Sequence, residues 1–202
     1  MTDLATGPTP EPSQRVVVVR HGETEWSRIK RHTGRTDIPL TAEGQAQART
    51  LGPILAAITF AAVFVSPLQR ALETSALAGY EDVGVVDPDL VEWDYGQYDG
   101  KTSDEIQKQR PGWTLFGDGA IGGETIDEVA ERARRVIERA RAVPGDVLLF
   151  GHGHHLRVLT ALWLELAPRA AQHLQLATAS PSTLGYEHDW TALLSWNGLP
   201  KQ

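Results

Sequence analysis

The sequence predicts a single α/β domain with a mostly parallel central sheet flanked by helices on both faces. Two observations point there. Short runs of consecutive apolar residues recur along the 202-residue chain, as in strands that are buried on both faces. Stretches of helical periodicity separate these runs, giving the β-α-β-α-β order of a layered α/β domain. The length suits one sizeable core. At 41% hydrophobic and 22% charged, the composition is that of an ordinary globular protein.

In chain order, the opening MTDLATGPTPEPSQ is rich in Pro and Thr and is expected to be a disordered leader over residues 1–14. It has no charged start and no apolar h-region, so it does not read as a signal peptide. The folded domain is expected over 15–202. Val16–Val19 reads as the first strand. After Thr41, Gly44, Ala48, Leu51, Leu55 and Ile58 recur at helical spacing, with Pro53 expected to kink or divide that helix. Ala61–Val65, Val83–Val86 and Val147–Phe150 read as further strands. Thr125 with Glu128 forms a capping box that opens the cleanest helix, which carries Ile126, Val129, Ala130, Ala133, Ile137 and Ala140 on one face. Residues 92–123, rich in Gly and aromatics, read as a lid-like insertion over the sheet edge. His173–Ala177 and Thr183–Glu187 are expected to close the sheet.

Composition narrows the function. A net charge of −7 argues against general nucleic-acid binding, which needs a basic face. It does not exclude a small anion bound by a few local arginines. No segment approaches a membrane span. The absence of cysteine removes disulfides and thiolate chemistry, and suits the reducing cytoplasm where the protein is expected.

The strand ends carry the chemistry. Ligands of open α/β sheets bind outside the carboxyl ends of the strands. VVVV runs into Arg20-His21-Gly22, AAVFV into Ser66-Pro67-Leu68-Gln69-Arg70, and VLLF into Gly151-His152-Gly153. If these strands are parallel, two arginines and two imidazoles meet on one rim. Guanidinium groups donate forked hydrogen bonds to phosphate oxygens, and a neutral imidazole can attack phosphorus. The rim therefore suits a phosphoryl group.

RHGETEW resembles the signature of the histidine phosphatase (phosphoglycerate mutase-like) superfamily. RHTGRTDIPLTAEGQAQA, FVSPLQRALETS, LVEWDYGQYDG and GHGHHLRVL are similar to further motifs of that family, in order along about residues 16–160. The resemblance implies a phosphoglycerate mutase-like fold and catalysis through a phosphohistidine. It makes His21 the nucleophile and Glu92 the proton donor to the leaving oxygen. Arg20, Arg70 and His152 would clamp the phosphoryl oxygens, and Ser27, Thr33, Gly34 and Gly153 would line the phosphate pocket. The Gly22 carbonyl would hold the other imidazole nitrogen of His21.

Two departures bear on the activity. Ser27 stands where the mutases carry Asn. The insertion is short and lacks the mutases' arginine pair. Between Glu92 and Gly123 its basic residues are Lys101, Lys108 and Arg110, against six acids. The pocket mouth is therefore expected to be poor in positive charge and rich in Trp93, Tyr95, Tyr98, Trp113 and Phe116, unless those rings form the insertion's own core. The expected activity is an acid phosphatase acting on a small phosphorylated metabolite. A cofactor-dependent phosphoglycerate mutase and a weakly catalytic phospholigand-binding module stand as alternatives. His152, His154 and His155 could supply metal ligands, but no nearby carboxylate or cysteine completes a set. No metal and no cofactor are expected. His32 and His173 are expected at the surface without a role, and a homodimer is left open.

Overall fold

The computed structural model describes residues 14–198. The expected leader lies outside them, except Gln14, which is buried. Its side-chain amide donates to the carbonyls of Ala140, Val143 and Gly145, so it is packed into the fold.

Six strands form one sheet: β1 (Val16–Arg20), β2 (Phe60–Val65), β3 (Gly84–Val86), β4 (Asp146–Gly151), β5 (Pro181–Glu187) and β6 (Trp190–Ser195). Their order is β3-β2-β4-β1-β5-β6. β3, β2, β4 and β1 run parallel, and β5 and β6 add an antiparallel margin. β1 and β4 lie side by side in register from Val16↔Val147 to Arg20↔Gly151. Because strand side chains alternate, Val17, Val19, Leu148 and Phe150 face one layer, while Val16, Val18, Val147 and Leu149 face the other.

The first layer is covered by α2 (Ala42–Leu55) and α3 (Gln69–Leu77) through Leu51, Leu55 and Ala71. The second is covered by α6 (Ile126–Arg141) and α7 (Gly153–Trp163), with the insertion packed beside them. α1 (Glu25–Arg28) follows β1 as one capped turn, and α4 (Ser103–Gln109) and α5 (Leu115–Asp118) lie within the insertion. α6 opens on the Thr125–Glu128 capping box, and Arg139 and Arg141 sit in its last turn, where cations complement the helix dipole. None of the helices described is long and apolar enough to cross a membrane.

The structure departs from the sequence expectations at four places. Pro53 lies inside α2 without dividing it. The bond it cannot donate would go to the carbonyl of Arg49, an exposed residue that water can serve. β3 is an edge strand whose Val85 and Val86 are more than half exposed, so it is not covered on both faces. His173 ends a 3₁₀ helix (Pro168–His173), and the residues to Ala177 are irregular rather than a strand. The closing strand is instead β6, paired to β5 as a hairpin with His188 in the left-handed region at φ 53°.

The aromatic residues of the insertion are its core. Trp93 is fully buried, Tyr95, Tyr98, Trp113 and Phe116 are buried, and all five are continuous with the α6–α7 layer. Three acids of the insertion are occupied as well. Asp99 accepts from the backbone of Gly34 and Thr36, Glu105 closes the cap of α4 and bonds Arg31, and Asp118 accepts from the Thr114 amide.

Candidate active site

Because β1, β2 and β4 are parallel neighbours, their carboxyl ends open on one rim. A pocket of about 400 Å³ lies there, lined by Arg20, His21, Glu92 and Gly153 among others. That volume falls within the range of small-ligand sites.

His21 follows β1 and is buried, its backbone amide bonded to the Gly151 carbonyl. Its Nδ1 lies 2.7 Å from the Gly22 carbonyl oxygen, which can only accept. Nδ1 therefore carries the proton, and the lone pair sits on Nε2. Burial, with the Arg70 and Arg20 guanidinium groups, holds this imidazole well below the usual histidine range. It is neutral near neutral pH. Gly22 is required by packing: a Cβ there would meet the Gly44 carbonyl oxygen at 2.4 Å, where α2 closes on this loop.

Arg20 lies across the start of α7. A Cβ on Gly153 would come within 3.2 Å of its Nε, so the glycine lets the guanidinium lie flat there. Nη1 donates to the Leu176 carbonyl at 2.7 Å, while Nε is buried without a protein partner. A buried donor left free on a pocket wall suits a bound oxyanion.

Glu92 is buried, and its carboxyl group accepts three backbone N–H groups, from Trp93 at 2.8 Å, His155 at 2.9 Å and His154 at 3.0 Å. Two of these amides belong to the first turn of α7.

Arg70 and His152 stand behind the pocket, not on its lining. Arg70 donates through Nε to His152 Nδ1 at 3.1 Å, and through Nη1 and Nη2 to the carbonyls of Thr36, Thr33 and Gly34. Since an arginine can only donate, His152 Nδ1 is the acceptor and its Nε2–H is donated to Ser66 Oγ at 2.7 Å. Both ring nitrogens of His152 are thus committed to protein, its ring centroid 5.2 Å from that of His21. Without a ligand, His152 is held between Arg70 and Ser66.

The expected substrate-binding set divides in the same way. Ser27, Thr33 and Gly153 line the pocket, but the Ser27 hydroxyl is closed into a capping box with Thr24. Thr33 Oγ1 donates to the Arg31 carbonyl at 3.3 Å. Gly34 is off the lining; its amide is held by Asp99 and its carbonyl by Arg70.

The pocket mouth is rich in positive charge, against the expectation drawn from the insertion. Lys30, Arg31 and Arg157 line it, contributed by the turn after α1 and by α7. His32 also lines it, packed against Tyr95 and Trp113 with ring centroids 4.9 and 5.8 Å away. Burial pushes His32 down to about 4. Among the described residues no cluster of His, Cys, Asp and Glu could hold a metal ion.

Burial has a consequence for stability. Burial first, and neighbouring cations second, hold His21, His152 and His155 well below the usual range. Neither ring nitrogen of His155 has a protein partner. In the unfolded chain these rings take up protons near pH 6.5, and in the folded chain only at much lower pH. The unfolded state then binds more protons below about pH 6.5, and stability falls by up to about 1.4 kcal/mol per pH unit per ring. Melting temperatures read by circular dichroism are expected to drop steeply from pH 7 to pH 5. His155→Met should flatten that slope and stabilise the fold at pH 7 by about 1 kcal/mol or more. An unchanged slope in the variant would show that His155 protonates as readily folded as unfolded.

Comparison with known proteins places the chain in a family. The family model of the histidine phosphatase superfamily (branch 1) matches residues 16–198. An acid phosphatase of Mycobacterium tuberculosis is 35% identical over 195 residues, covering 94% of this chain and 96% of its own. A probable phosphoglycerate mutase of Photorhabdus laumondii is 31% identical, covering 88% of each. A solved structure of a Mycobacterium tuberculosis open reading frame product superposes with a TM-score of 0.87 at 34% identity, over 92% of this chain and 97% of that one.

Proposed function

The chain belongs to the histidine phosphatase superfamily, and from that premise we propose that it is a metal-independent phosphomonoesterase of the acid phosphatase type. The observation that carries this reading is the His21 imidazole, whose Nδ1 is fixed by the Gly22 carbonyl so that the Nε2 lone pair is free beside Arg20. His21 Nε2 attacks phosphorus, and the bond from phosphorus to the ester oxygen breaks. Glu92 gives its proton to that oxygen, so the alcohol leaves neutral. Water then attacks the phosphohistidine, Glu92 takes a proton from the water, and inorganic phosphate and free His21 result. Arg20 bears the charge on the phosphoryl oxygens, with Arg70 supporting from behind.

The test is phosphate release from a panel of phosphomonoesters, set against isomerisation of 3-phosphoglycerate primed with a bisphosphate. Hydrolysis is expected to dominate, as the name of the relative at 35% identity supports. The mutase reading draws on the cationic pocket mouth and on the mutase-named relative. An isomerisation rate a hundredfold above hydrolysis would establish it instead.

Chelation offers a second check. Arginines and imidazoles supply the positive charge that Mg²⁺ supplies in many phosphoryl-transfer enzymes. Dialysis against EDTA is expected to leave turnover unchanged. A loss restored by a divalent cation would remove metal independence from the reading.

A further inference from the structure

A second cavity of about 270 Å³ adjoins the catalytic pocket, and His32, Ser103, His154 and Arg157 line both. Arg20, His21 and Glu92 line the first alone, so the second lies beyond the reacting atoms. It is built from the insertion and from the 3₁₀ helix after α7. α4 gives Gln107, the stretch from Trp113 into α5 gives Trp113, Leu115 and Phe116, and the 3₁₀ helix gives Gln172. Gln107 and Gln172 are exposed, so the cavity opens to solvent between them, whereas Trp113, Leu115 and Phe116 are buried beneath.

The polar groups of this wall are already bonded to protein. Ser103 Oγ lies 3.3 Å from His32 Nε2, and Gln107 Nε2 donates to the Trp113 carbonyl at 3.1 Å. Trp113 Nε1 donates to the Gly119 carbonyl at 2.9 Å, and His154 Nδ1 is joined to the Tyr95 hydroxyl at 2.6 Å. Arg157 donates to the carbonyls of Ala171 at 3.0 Å and Gln172 at 3.1 Å, its guanidinium held 4.8 Å over the Phe116 ring. Burial keeps His32 and His154 below the usual histidine range, so both are uncharged near neutral pH. What remains for a ligand is the edges of Trp113 and Phe116, the Leu115 side chain and two neutral imidazoles. Such a surface suits an uncharged ring.

We propose that this second cavity receives an uncharged apolar ring at the far end of the leaving group, so that phosphomonoesters of ring-bearing alcohols are preferred over the same esters without the ring. This rests on the hydrolase reading of the adjoining pocket and assigns what lies beyond the ester oxygen. The shared side chains make the two cavities one continuous wall, along which a linker can run from His21 to Trp113.

Phosphate release from phenylalkyl phosphates with two, four and six methylene groups tests it, each set against the alkyl phosphate of the same linker. Paired esters release alcohols of closely matched basicity, so the ring acts through binding. At least one linker is expected to raise kcat/KM about tenfold over its ringless partner, chiefly through KM, the scale of burying a phenyl ring. Gln107→Trp and Gln172→Trp fill the cavity from its exposed rim, and each should cut that ratio about fivefold. Lys108→Trp, on α4 but off both linings, should leave the ratio at its wild-type value. The corresponding phosphonates cannot be hydrolysed and report binding alone by titration calorimetry. At the favoured linker the ring should tighten their binding by a similar factor. Equal turnover of ringed and ringless esters at every linker, or a ratio that both tryptophans leave unchanged, overturns the ring site while the hydrolase reading stands. Failure to hydrolyse any ester, p-nitrophenyl phosphate included, with the phosphonate preference intact, overturns the hydrolase reading and leaves the ring site standing.

Discussion

His21→Ala is expected to lose turnover by about 10⁴–10⁶-fold, the scale seen when a covalent nucleophile is removed. Three features of the site converge on this one atom. The Gly22 carbonyl fixes the tautomer, burial and two guanidinium groups keep the ring neutral, and Arg20 stands beside it with an unpaired buried Nε. Alanine removes the Nε2 lone pair and leaves the Gly22 carbonyl without its partner, a cost borne by stability and not by chemistry alone. Circular dichroism must therefore show a native spectrum before the rate is compared. The assay is p-nitrophenyl phosphate, whose leaving group needs least help, so any surviving route would be visible. Turnover within tenfold of wild type would mean that water or another residue attacks phosphorus. Because the His21 imidazole is held well below the usual range, protonation of the nucleophile should not limit wild-type activity in mildly acid solution.

Much of this site is legible in the sequence because its parts sit at the ends of apolar runs. Once β1, β2 and β4 are parallel, Arg20, His21, Arg70 and His152 must share a rim, and topology alone brings them together. What topology does not specify is which side chains face the ligand. His152 and Arg70 look equivalent to Arg20 in the sequence, yet their hydrogen bonds turn inward, to Ser66, Thr33, Gly34 and Thr36. The charge at the pocket mouth differs from the sequence expectation for a related reason. Counting charges in residues 92–123 treats every acid as free, whereas Asp99, Glu105 and Asp118 are spent on backbone amides and caps. The cations come from Lys30 and Arg157. Their placement depends on a left-handed residue and on a helix rotation, which no periodicity reveals. β6 is not legible in the sequence because Trp190–Ser195 is an edge strand, partly exposed along its length, with neither a buried apolar run nor clean alternation.

Glu92→Gln is expected to separate acid catalysis from positioning. If Glu92 gives the proton to the leaving oxygen, its benefit scales with how basic that oxygen becomes. An alkoxide from a glycerol or sugar phosphate needs the proton badly, and p-nitrophenolate needs it little. The variant should slow alkyl phosphates by about 10²–10⁴-fold and p-nitrophenyl phosphate far less. The structure adds a complication that the comparison absorbs. Glu92 Oε1 accepts from Trp93 and His155, and Oε2 accepts from His154. A glutamine can present its oxygen to only one side, so its NH₂ must face at least one backbone N–H. That mismatch should cost about 1–3 kcal/mol of stability and shift the side chain in both assays alike. A positional defect of this kind lowers aryl and alkyl rates by a common factor, whereas a missing proton lowers the alkyl rate far more than the aryl rate. The quantity to measure is therefore the ratio of variant to wild-type kcat/KM for one alkyl and one aryl phosphate. Equal ratios would leave Glu92 as a positioning residue for the α7 amides, and the proton would have to come from another group on the pocket wall. Tyr95 and His154 line the same pocket, their hydroxyl and Nδ1 joined at 2.6 Å, and are the candidates.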